Sequence, residues 1–223
     1  MNNTRKNILL NTLLAVAGLF LFSVGVYFTI QANIGVAPWE TFNLGLSGTL
    51  GIKYGTASII ISLVIVGIDL LLKEKIGIGM LLDSLLVGKF VDLLNWIQLL
   101  PVQKTIWSGI LIICIGMFIM GFGQSIYMKA ALGCGPRDTL LVGLKRRTSK
   151  IPIGIISVGI LAVVTLVGWL LGGPIGIGTV ICAFLEGPIM QLVFSIVHFN
   201  PTEVRHQDIP DSFRILFKKN PAE

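Results

Sequence analysis

Histidine is nearly missing from this chain, cysteine occurs three times, and charged residues fill only 13% of the 223 positions. Each scarcity removes a class of function. The two histidines, His198 and His206, both follow the last apolar run. No Ser/His/Asp, Cys/His or zinc-ligand constellation can be assembled from them, and an enzyme is not expected. Cys114, Cys134 and Cys182 stand singly in or beside apolar stretches, with no metal spacing and no disulfide framework, and read as small packing groups. No Walker pattern or dinucleotide fingerprint accompanies the 26 glycines, so neither metal nor cofactor is expected. The net charge of +6 has no nucleic-acid motif beside it and is read as a set of topology signals.

What the chain has in excess is apolar surface. With 54% hydrophobic residues and a mean hydropathy of +0.87, it is not a soluble domain of ordinary composition. Six runs, 8–32, 56–72, 78–100, 106–131, 151–171 and 177–197, are long enough to cross a bilayer at about 1.5 Å of rise per residue. The first follows Arg5 and Lys6 but is too long for the core of a cleaved signal, so it reads as a retained span. The expected fold is an all-α polytopic membrane bundle of six transmembrane helices plus two short re-entrant helices. Residues 1–7 form a cytoplasmic N-terminus, 8–100 and 101–198 two membrane repeats, and 199–223 a polar cytoplasmic tail.

The repeats rest on one stretch that occurs twice. GVAPWETFNLGL at 35–46 returns as GCGPRDTLLVGL at 133–144, and seven of the twelve positions agree in identity, charge or small size at a constant offset of 98. Downstream, IGIG at 76–79 matches 175–178, and Gly88 matches Gly187, at an offset of 99. Such self-similarity indicates duplication. Each copy is a broken helix: glycine stops an apolar run, proline starts the next helix, and a carboxylate two residues later meets the free N–H groups and the positive dipole end. Between Asp138 and Lys145 only six apolar residues remain, against about twenty for a span, so these segments are expected to enter the membrane without crossing.

Charge places the chain in the membrane. With six crossings, both termini, Lys73, Lys75 and the cluster Lys145, Arg146, Arg147 and Lys150 lie inside, leaving Lys53 and Lys104 outside. An eight-crossing chain fits the charges too, and the brevity of the second short segment decides for six. Three crossings per repeat is an odd number, so the halves are expected to be inverted. Inverted repeats with interrupted helices point to the binding site of a secondary transporter.

The expected solute contacts are Trp39, Glu40, Thr41, Arg137, Asp138 and Thr139 at the two breaks, with Gln31 and Gln124 on the approaching helices. Asp92 and Gln191 join them, because each lies four residues after the equivalent glycines Gly88 and Gly187. Gly35, Pro38, Gly133, Gly135 and Pro136 shape the breaks. Plainer readings stand beside these: helix capping by Glu40 and Asp138, hydrogen bonding to opened backbone by Gln31, Asn33 and Gln124, and an ordinary Lys89/Asp92 ion pair. Asp69 reads as an interfacial residue. Asp83 and Glu186 read as deeper carboxylates, either proton carriers or partners of Ser84 and of backbone opened by Pro188.

The paired G-x-x-P-x-[ED]-T segments, the later G-x-G before the last span of each half and the G-x-x-x-[DQ] within that span resemble the YczE/YyaS/YitT-type bacterial membrane proteins, over about residues 8 to 198. The resemblance implies a multi-pass protein of the bacterial inner membrane and brings no substrate with it. Its motif residues here are Gly35, Pro38, Glu40 and Thr41, then Gly133, Gly135, Pro136, Asp138 and Thr139. The leading expectation is a small secondary transporter for a small polar or amphipathic solute. The alternative is a non-transporting accessory protein that supports a partner complex or biosynthetic system. The bilayer and the solute are the expected partners, and the small-residue helix faces are compatible with a homodimer.

Overall fold

The computed structural model describes residues 3–148, 150–201 and 204, so the expected tail lies almost wholly outside the described residues. These residues form eight helices: α1 Asn3–Gln31, α2 Pro38–Leu50, α3 Tyr54–Leu71, α4 Ile78–Ile97, α5 Ile106–Lys129, α6 Pro136–Arg147, α7 Ile153–Leu170 and α8 Ile177–Ile196. Five of them, α1, α3, α5, α7 and α8, are long and apolar enough to cross a membrane. The sixth expected span, α4, is as long as α8, at 20 residues, but carries Asp83, Lys89 and Asp92. Composition alone does not make it a span. The chain is a polytopic helical membrane protein, and its outward faces are covered with Leu, Ile, Val, Phe and Trp, as lipid contact requires.

The helices begin and stop close to where the apolar runs do, with instructive exceptions. The run ending at Pro101 stops early, because Gln98 takes a left-handed conformation (φ 54°). The second short helix does not end with its apolar residues. It continues through Lys145, Arg146 and Arg147, whose charges suit the negative end of the helix dipole.

The centre is an antiparallel pair, α1 and α5, joined through glycine. Gly18 lies against Gly123 and Tyr127, Gly25 against Gly116 and Met120, and Gly109 against Ala32 and Ile34. Without side chains the two backbones approach closely, and van der Waals contact between them replaces the hydrophobic drive that lipid does not supply. Gly18 and Gly116, like Gly25 and Gly123, are separated by 98, the offset of the repeated motif.

The chain breaks between α1 and α2 and between α5 and α6 are sealed in matching ways. Ile34 carbonyl accepts from Gly178 N–H at 2.7 Å, and Leu132 carbonyl accepts from Gly79 N–H at 2.8 Å. Gly35 (φ 98°) and Gly133 (φ 124°) adopt backbone that a β-carbon disfavours. Each also touches the turn before the sealing helix, Gly35 at Gly176 and Gly133 at Gly77.

The short helices then cross over. α2 packs more on α7 than on α3, where Gly45 meets Gly168, Leu171 and Gly173 and Thr49 donates to the Leu171 carbonyl at 2.9 Å. α6 reaches α3 and the turn after it: Arg146 pairs with Glu74 at 2.9 Å and Arg147 donates to the Leu72 carbonyl at 2.9 Å. The basic end of α6 and the α3/α4 turn therefore share one end of the molecule.

The glycine seam predicts that Gly123→Val, whose side chain would enter the Phe22 backbone, lowers stability by at least about 2 kcal/mol. Gly48→Val, with nothing within 4 Å of the added carbon, is expected to leave it unchanged. Thermal unfolding in detergent, followed by size-exclusion chromatography, checks both.

Candidate functional site

Pro38 and Pro136 start their helices at the first helical position, so each following carboxylate sits in the first turn. Because α2 and α6 cross over, the two N-terminal turns face each other. Arg137 Nη1 donates to Glu40 Oε1 at 3.1 Å, and the guanidinium lies 4.9 Å from the centre of the Trp39 ring. The Glu40 side chain is 4% exposed and the Arg137 side chain 26%. This pair joins the two segments through Arg137, whose place in the first copy of the motif is taken by Trp39.

Around it stand three more carboxylates. Gln124 Nε2 donates to Asp138 Oδ2 at 3.2 Å. The Asp83 carboxylate occupies the place where a β-carbon on Gly135 would lie, and Asp138 Oδ2 is 3.9 Å from the same point. Glu186 lies within electrostatic range of Glu40, Arg137 and Asp138. Carboxylates from α2, α4, α6 and α8 thus lie within electrostatic range of one guanidinium, and Glu40 is the one that contacts it. Asp138 is exposed although it stands among these groups, so it lines an opening rather than a sealed core.

Three further polar residues were not anticipated. Asn43 donates to the Tyr54 hydroxyl at 3.2 Å, with both residues buried, and Tyr54 is in electrostatic range of Glu40 and Arg137. Tyr127, 1% exposed, keeps a hydroxyl with no hydrogen-bond partner, within electrostatic range of Asp83 and Asp138. Asn43 has apolar Leu141 at the repeat-equivalent place, so the duplication gave no signal for it.

Other expected contacts are placed elsewhere. Thr41 donates to the Ala37 carbonyl at 3.2 Å and Thr139 to the Gly135 carbonyl at 3.0 Å, four residues back along their own helices. Gln31 bonds Asn95 at 3.0 Å where α1 and α4 end, and Asn33 bonds the Gln103 carbonyl at 3.2 Å. Asp92 accepts from the Gly55 N–H at 2.8 Å and so caps α3 from a neighbouring helix. Gln191 is exposed on α8. Asp69, read from sequence as interfacial, is fully buried, with neither oxygen hydrogen-bonded.

An apolar cavity of about 550 Å³ adjoins the charged group. Its walls are α3 and α7, its floor the short helices, and Phe42 and Leu46 stand opposite their repeat equivalents Leu140 and Leu144. Trp39 belongs to both cavity and charge cluster. A second apolar cleft, of about 570 Å³, opens between α7 and α8 and reaches Pro38.

Arg137→Met is expected to destabilise the protein by about 3 kcal/mol, the low end for a broken buried pair because Arg137 is a quarter exposed. Adding Glu40→Gln should recover most of that loss, as a double-mutant cycle on thermal midpoints would show. Asp92→Ala should cost about 1 kcal/mol and Asp92→Asn less, since the amide oxygen still accepts from Gly55.

Comparison with known proteins agrees with the membrane character of the chain. An uncharacterised membrane protein, YczE of Bacillus subtilis, is 35% identical over 177 residues, covering 78% of this chain and 81% of the relative. YyaS of the same organism is 30% identical over 191 residues, covering 82% and 92%. An uncharacterised protein of Haemophilus influenzae is 29% identical over 179 residues, covering 80% and 81%. No solved structure matches. Residues 9–195 match the model of a family of unknown function, DUF6198, and the chain belongs to that family.

Proposed function

We propose that this protein is a small secondary transporter of the bacterial inner membrane, built of two inverted repeats, each with three crossings and one re-entrant helix. The observation that carries the proposal is the Glu40–Arg137 pair, which ties the N-terminal turn of one broken helix to that of the other. Interrupted helices from two inverted halves, meeting at buried polar groups, form the site in transporters that work by alternating access.

The antiparallel α1/α5 pair and its matched glycines support inversion. Six crossings are supported by the contact of α6 with the α3/α4 turn, since an eight-crossing chain would put those two segments on opposite faces. In that frame both termini are cytoplasmic. The solute sits between the short helices, and the halves rock about the α1/α5 seam. The Glu40–Arg137 pair closes the path when the site is empty, and the solute separates it.

Topology is the first test. In a version with all three cysteines replaced, Gly48→Cys should label only from outside and Lys150→Cys only from inside. Labelling of both from the same face overturns the inverted arrangement and with it the transporter reading. In proteoliposomes screened by electrometry against amines, amino acids and sugars, the Glu40→Gln/Asp138→Asn variant should lose at least tenfold of any solute-driven current shown by the parent. A parent silent to the whole panel would return weight to the accessory reading.

A further inference from the structure

We infer that the α3/α7 cavity and the charge cluster behind Trp39 together form a site for an amphipathic organic cation, whose apolar body fills the cavity and whose positive head meets the carboxylates. The inference deepens the transporter reading and takes its site from it.

Charge balance selects the head group. Glu40 pairs with the Arg137 guanidinium at 3.1 Å, and Asp83, Asp138 and Glu186 lie within electrostatic range of it. The two helix N-termini add about half a positive charge each, so with every carboxylate ionised the excess is about two negative charges, and a cation arriving beside them favours that ionised state. An anion would meet that excess, whereas a cation offsets it. Two of the carboxylates already have partners, Glu40 in Arg137 and Asp138 in Gln124. Asp83 and Glu186 are the ones left for a newcomer.

Three further observations point to a ligand. The Tyr127 hydroxyl, 1% exposed and without a partner, stands near Asp83 and Asp138 and can accept from an ammonium. Trp39 already holds one cation against its ring, and indole is the best aromatic face for that contact. Beyond it the cavity has room for a body of several rings, about 550 Å³, with no charged side chain in its lining. Its mouth lies between exposed Ile60 and Val64 on α3 and Val163 on α7, so a lipophilic cation can enter sideways from the hydrocarbon.

Tetraphenylphosphonium and tetraphenylborate, equal in shape and opposite in charge, provide the test. Binding of each radiolabelled ion is measured to the full chain in nanodiscs, above empty nanodiscs. The cation is expected to bind saturably and the anion not to. Three variants should weaken the cation at least tenfold: Trp39→Leu, the pair Asp83→Asn/Glu186→Gln, and Ile60→Trp. The last plugs the mouth and leaves every charged group in place, so it reads the cavity independently of folding at the cluster.

Equal binding of both ions, or a cation affinity that none of the three moves, overturns the inference. Saturable cation binding with no flux in proteoliposomes keeps the site and removes transport. Flux of another solute without cation binding keeps transport and removes the site.

Discussion

Hydrocarbon leaves no backbone N–H or C=O unpaired at low cost, and the rest of this structure follows from how that constraint is met at the two breaks between α1 and α2 and between α5 and α6. A break at 32–37 or 130–135 would orphan carbonyls. Each is closed by the first turn of a helix from the other half of the chain, which has N–H groups to give: Gly178 for Ile34, Gly79 for Leu132. That exchange explains why the repeated glycines are where they are. Gly35, Gly79, Gly133 and Gly178 stand at the contacts, and a side chain at any of them would separate a donor from its acceptor.

With the scaffold matched in both halves, chemistry resides where the halves differ. Trp39 faces Arg137 across the repeat, Asp83 has Cys182 as its equivalent, and Glu186 has Val87. Cys182 packs near Ala37 as Asp83 packs near Gly135, so the same place is apolar in one half and ionisable in the other. The recurring motif shapes two similar chain breaks, and the differences at these pairs leave one charged centre with an apolar annex. Only one cation among so many carboxylates also makes Arg137 the group on which the electrostatics turn.

Much of the architecture was legible in the sequence, because apolar run length and Gly/Pro punctuation act locally. The helices and the two short segments were readable from run length and the repeated motif, which also put Glu40, Arg137 and Asp138 at the two breaks, with Gln124 on an approaching helix. Side-chain direction was not. Thr41 and Thr139 look like site residues at their spacing, yet each turns back to a carbonyl of its own helix. The G-x-x-x-[DQ] pattern paired Asp92 with Gln191, but one caps α3 and the other is exposed. Asp83 entered the cluster only because α6 crosses to the first half, which no local pattern encodes. The seam glycines carried a signal in their shared offset of 98, visible once the repeat is extended upstream into α1 and α5.

The crossing of the short helices sets a condition on synthesis. Glu40 is synthesised 97 residues before the Arg137 that pairs with it, and Ile34 waits still longer for Gly178. Until α6 arrives, the first half holds a carboxylate and open backbone with no partner of its own. The first half on its own therefore lacks the partners that complete Glu40 and Ile34, and both partners come from residues after 130.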